Sequence, residues 1–189
     1  MFAEFLNIIF KSIKLDKTLY SDNKNFDEAS IYYAIIIILL TSLISTIPGS
    51  VFTQHMSAAL GIIDHKGPSI RSILIISFFM WLIKTTYLYF FGVVIFSSKS
   101  TKCSFKKLLT LVAYSNAPFI FYIFIFDISL IYFTFIPYIW YCISLIIGIK
   151  EVLKYENYFK SIILTLAPQI LFLIWFLSQF SNVNNVTLS

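Results

Sequence analysis

The sequence predicts an all-α, polytopic membrane bundle of about five transmembrane helices, preceded by an amphipathic helix at the membrane surface. Three observations predict it. The 189 residues are 59% hydrophobic and 12% charged, with a mean hydropathy of +0.85. Soluble domains run nearer half apolar and a quarter charged, and one core of this length cannot hide so much Ile, Leu and Phe. Apolar runs of about one bilayer thickness follow one another with short polar breaks, and lysines fall on alternate breaks. The runs are too long and too uniformly apolar for a barrel, whose strands would alternate, so helices must satisfy the backbone.

Phe2 to Leu15 sets Phe2, Phe5, Leu6, Ile9, Phe10 and Ile13 at helical spacing, with Glu4, Asn7, Lys11 and Lys14 on or near the other side. The stretch is too short to span. Two placements fit it, a helix lying in the interface or one packed on the bundle. Asp16 to Ser30 reads as a polar linker, making residues 1–30 a cytoplasmic segment. Residues 31–180 form the membrane domain. Its first span is Ile31 to Val51, closed by Pro48-Gly49, and Phe52 to Ser69 is a loop holding Gln54, His55, Asp64, His65 and Lys66. Ser72 to Phe96 is the second span, about 37 Å on the helical rise, interrupted only by Lys84. A lysine- and serine-rich loop leads to the third span, Leu108 to Phe126. Asp127-Ile128-Ser129 is a tight hinge into the fourth, Leu130 to Ile149. Lys150 to Tyr158 is a charged loop, Ser161 to Phe180 the fifth span, and residues 181–189 a short uncharged tail.

Eleven lysines occupy the N-terminal segment and the second-to-third and fourth-to-fifth loops, against Lys66 and Arg71 on the opposite side. The positive-inside rule then places the N-terminus in the cytoplasm and the C-terminus outside. The net charge of +5 is therefore topogenic, and no basic stripe interleaved with aromatics suggests nucleic acid. Cys103 lies in a lysine-rich loop and Cys142 in an apolar run, so neither a disulfide nor a metal site follows. Met1 to Ile13 lacks the basic start and small-residue cleavage site of a signal peptide. Heavy use of Ile, Phe, Tyr, Lys and Asn fits an AT-rich bacterial genome, hence an inner membrane.

The residues that stand out are few. Ala113-Tyr114-Ser115-Asn116-Ala117-Pro118 is the most informative patch. Pro118 lacks an N–H and its ring crowds the Tyr114 carbonyl, predicting a kink there. Ala113 and Ala117, four apart, admit a close helix, and Tyr114 and Asn116 can bond freed carbonyls or a neighbour. The patch serves either internal packing or a ligand or partner groove. Lys84 is the one charge inside a span. It either snorkels outward, pairs with Asp127 on the same outer side, or serves a transport path. His55 and His65, ten residues apart, make a weak metal pair. Zincin, nucleophile-elbow and phosphate-loop motifs are missing, so no catalytic, cofactor or metal residue is assigned and no enzyme is expected.

The stretch Leu109 to Pro118, followed by Ile136-Pro137, Trp140-Tyr141 and Leu145 to Glu151, resembles the Yip domain, a family of Rab-interacting secretory-pathway proteins with a large bacterial branch. The resemblance covers roughly Phe26 to Phe180. It implies an N-terminal cytoplasmic segment and five helices with a tight third-to-fourth hairpin. The long N-terminal region and acidic-aromatic motif of eukaryotic members are missing, which points to the bacterial branch. The expected function is membrane organisation or a trafficking-like role through helix–helix or protein–protein contact. The expected partners are lipid and other membrane proteins or a second copy. A small transporter or channel component, with Lys84 and the Pro118 kink lining a path, is the alternative.

Overall fold

The computed structural model describes residues 2–27, 29–59, 69–96 and 103–186. Asp64, His65, Lys66, Lys99, Lys102 and Ser189 lie outside the described residues. The described chain is helical throughout its ordered elements, an all-α polytopic bundle as expected. Four stretches are long and apolar enough to cross a membrane: Ser30–Val51, Ile70–Ile95, Phe105–Phe124 and Ile128–Leu153. Phe159–Trp175 is a further, shorter apolar helix.

Helix α1, Phe2–Ile13, turns Ile8, Ile9 and Ser12 inward and leaves Leu6, Asn7 and Phe10 exposed. Of its two placements, the one packed on the bundle is what the structure shows. It ends at Leu15, whose left-handed φ of 56° lets Asp16 N–H reach back to the Lys11 carbonyl at 2.9 Å. The supposed linker then folds as α2, Thr18–Ser21, and a 3₁₀ turn, Asn23–Phe26. Leu19 and Tyr20 have no exposed surface. A polar average over fifteen residues concealed two large apolar side chains aimed at the bundle.

The first candidate span ends at Val51 as expected, but the helix does not stop at Pro48-Gly49. Helix α3, Ser30–Ile44, stops at Ser45, and α4, Thr46–Ala59, runs through both residues and carries Gln54 and His55. Pro48 stands third in α4, where a helix N–H has no intrahelical acceptor, while its ring crowds the Ile44 carbonyl four residues back. The break falls there. Ser45 and Thr46 hydroxyls take up the Thr41 and Leu43 carbonyls, each at 2.7 Å.

Helix α5, Ile70–Leu88, starts on the Ser69 hydroxyl and passes into a π-helical turn, Tyr89–Ile95. Helix α6 covers Phe105–Ser115. Beyond Asn116 the third span continues as a 3₁₀ segment, Ala117–Phe124, and a second such segment, Ile128–Thr134, leads into α7, Phe135–Leu153. The predicted smooth kink at Pro118 is thus a change of helix type. The arms form the expected antiparallel hairpin: Phe119 stacks on Tyr141 and Phe121 on Trp140, and Tyr122 Oη donates to the Thr134 carbonyl at 3.2 Å.

Lys150 and Glu151 belong to α7, not to a loop. Lys154 ends the helix at φ 53°, and Tyr155 N–H returns to the Lys150 carbonyl at 3.1 Å. Helix α8, Phe159–Val186, outruns the expected fifth span, so residues 181–186 are helix rather than tail.

Candidate functional site

The sequence patch at Ala113–Pro118 becomes a knot where α3, α6, α7 and the N-terminal segment meet. Ala113 and Ala117 have no exposed surface, and Pro118 is buried beside them. Small side chains here let helices approach closely, and the approach is made within this chain. Pro118 cannot donate to the Tyr114 carbonyl. That carbonyl instead accepts from Ser12 Oγ of α1 at 2.6 Å, so the proline creates the acceptor that anchors the N-terminal helix. Tyr114 Oη donates to the Asn25 carbonyl at 3.2 Å, and its ring meets Phe26. Asn116 Nδ2 turns back to the Val112 carbonyl at 2.6 Å and closes the end of α6.

Tyr20 is the residue the sequence did not disclose. Its hydroxyl shares a 2.6 Å hydrogen bond with Ser144 Oγ, both fully buried. Burial pushes the phenol above its ordinary range, partly countered by that bond. Gly148, one turn beyond Ser144, makes the space. A Cβ there would collide with Leu111 Cδ1 and come within 3.2 Å of the Tyr20 ring. The four-residue spacing of Ser144 and Gly148 on an apolar helix was a legible hint; Tyr20 itself carried none.

Lys84 goes elsewhere. It is fifteenth of the 26 residues in Ile70–Ile95, near the middle of the helix rather than at an outer end. Its ammonium lies 4.3 Å from the centroid of the Tyr141 ring, itself fourteenth of the 26 in Ile128–Leu153. The expected Lys84–Asp127 pair is not present among the described residues. Asp127 Oδ1 accepts from Ser129 N at 2.8 Å and Oγ at 2.6 Å, capping the 128–134 segment. Those bonds hold its carboxyl below the usual range.

A second feature lies along α8. Ser161, Thr165 and Gln169 recur every fourth residue along α8, which packs on α7. Tyr141 Oη, Ser161 Oγ, Thr165 Oγ1 and Gln169 Oε1 are buried atoms without a hydrogen-bond partner among the described residues. Gln169 stands beside Tyr138, and Cys142 beside both Tyr138 and Lys84. Buried polar atoms are ordinarily satisfied, so these orphans stand out, and of them Tyr141 is the one that meets Lys84.

Among the described residues, lysines flanking the second-to-third and fourth-to-fifth breaks share one end of the bundle. Lys107 lies over the Phe26 ring at 4.8 Å and Lys160 over Tyr155 at 5.4 Å, and Lys160 Nζ donates to the Phe96 carbonyl at 3.2 Å. Tyr155 Oη donates to the Gly92 carbonyl at 2.6 Å, bracing the π turn. Cys103 and Cys142 are both free thiols, and burial pushes Cys103 up to about 11.

A family model described as the Yip1 domain matches residues 19–178. Comparison with curated proteins and with solved structures returns no match.

Proposed function

Because this chain belongs to the Yip1 domain family and is an integral membrane protein, we propose that it acts without chemistry of its own, organising the membrane or its traffic through contacts with other membrane proteins or a second copy. In this reading it sits in a bacterial inner membrane with the N-terminus cytoplasmic and the C-terminus outside. The observation that carries it is the asymmetry of the bundle. The patch Ala113–Pro118 is used up in internal packing, whereas α8 packs mainly on α7 and turns Ile170, Leu171, Leu173 and Ile174 outward. A peripheral helix with Gln169 on it can add a partner helix without disturbing the knot. Photo-crosslinkers placed at Leu171 and Ile174 in native membranes should capture a defined protein adduct. Recovery of lipid adducts alone from both positions would overturn the reading. Single-cysteine labelling at Ser189 tests the orientation, and reaction from the cytoplasmic side only would reverse it.

The mid-span place of Lys84 favours a second reading, a small transporter or channel component. Proteoliposomes would then show a solute flux that Lys84→Ala abolishes.

A further inference from the structure

We propose that Lys84 of α5 and Tyr141 of α7 together bind the carboxylate of a single-chain, fatty-acid-like amphiphile that enters from the surrounding lipid. The site stands whether the protein organises membranes or moves solutes.

A cation inside a span is costly unless it is paired, hydrated or drawn to the interface, and the face of a tyrosine ring is a weak partner. Lys84 Nζ has the Tyr141 ring at 4.3 Å and no carboxylate beside it among the described residues. The candidate spans have almost none to offer. Of the chain's nine acidic residues only Glu151 falls inside a candidate span, two residues from the end, where it pairs with Lys150 at 3.4 Å.

The orphaned hydroxyls define the ligand further. Tyr141 is 2% exposed, and its Oη has no partner. A hydroxyl and an ammonium on the same ring's edge and face suit a carboxylate, whose two oxygens accept one bond from each. The rim is apolar or aromatic and faces outward: Tyr138, whose ring lies 6.3 Å from that of Tyr141, is 38% exposed, and Ile83, next to Lys84 in the chain, 60%. An acyl chain can lie on that rim while its head group reaches inward. An acidic side chain on another protein's helix would share the charge, but a helix backbone lying outside the rim is poorly placed to reach a hydroxyl that is almost wholly buried. A thin amphiphile passes between helices more readily.

The test uses the full-length protein in nanodiscs with carboxyl-¹³C-labelled oleate, against methyl oleate and oleyl alcohol. The expected result is saturable oleate binding, absent for the ester and the alcohol, with a carboxyl shift that stays that of the ionised form. Lys84→Gln should weaken binding at least tenfold, and Tyr141→Phe several-fold. Lys84→Arg, which keeps the charge and guards against a folding defect in the glutamine variant, should retain most of it. Equal binding of oleate and the alcohol, or unchanged affinity in both Lys84→Gln and Tyr141→Phe, overturns the proposal. So does a crosslink from position 84 to a membrane protein's carboxylate with no saturable oleate binding.

Discussion

Two regions of this bundle contain comparable numbers of buried polar side chains and treat them oppositely. At the N-terminal knot, Ser12, Tyr20, Tyr114 and Ser144 all have partners within the chain. Ser161, Thr165 and Gln169 on α8, and Tyr141 on α7, hold atoms that have none among the described residues. In hydrocarbon a satisfied hydroxyl fixes one arrangement of helices, and an unsatisfied one penalises the resting arrangement until a ligand, water or partner arrives. The first region is built to stay as it is. The second leaves polar atoms open.

The comparison breaks most visibly at Tyr20. Truncation by Tyr20→Ala empties a fully buried aromatic site and should cost about 3–5 kcal/mol, read as a lowered unfolding midpoint in detergent. An unchanged midpoint would mean that the N-terminal segment is not held in the bundle. Gly148→Ala probes the same contact from the other side. Overpacking against Leu111 and Tyr20 should cost about 1–3 kcal/mol, and combining it with Tyr20→Ala should cost less than the two separately.

Tyr20→Phe removes the hydroxyl alone and should cost about 1 kcal/mol, since Ser144 is left without its partner. It also predicts a pH signature. The folded-state pKa of Tyr20 is raised by burial, so its contribution is fully present below the unfolded value near 10 and is lost as pH climbs above it. Wild-type unfolding midpoints should fall more steeply above pH 10 than those of Tyr20→Phe; parallel profiles would remove the assignment. The smallest effect has the opposite sign. Thr165→Val replaces an orphaned hydroxyl with a methyl and should be neutral or stabilising by up to about 1 kcal/mol. A loss like that of Tyr20→Phe would place Thr165 among the satisfied groups and erase the contrast.

Legibility followed the same division. Apolar run length revealed the spans and the hairpin, because lipid imposes a length on any helix that crosses it. At Pro118 the third span changes helix type, and Ala113 and Ala117 are fully buried. Pro48 was misread as a terminator because a proline in a first helical turn looks in sequence like one beyond a last turn. Tyr20 was illegible for a different reason. Its environment is supplied by Ser144, 124 positions away, and no local average registers a pocket made so far along the chain. Lys84 could be singled out by its charge, but Tyr141 could not be named as its neighbour, because register between helices is not written in either one.

The distance between Tyr20 and Ser144 also sets a schedule for biosynthesis. The N-terminal segment leaves the ribosome first, yet its berth is lined by α6 and α7, which follow far later. At about 5–20 residues per second, the 124 intervening residues take about 6–25 s to make. During that interval Leu19 and Tyr20 have no berth, and Leu6 and Phe10 on the outward face of α1 can rest at the membrane surface. Docking of the first segment can only follow insertion of the hairpin, which makes the arrival of Tyr20 beside Ser144 a late step of assembly.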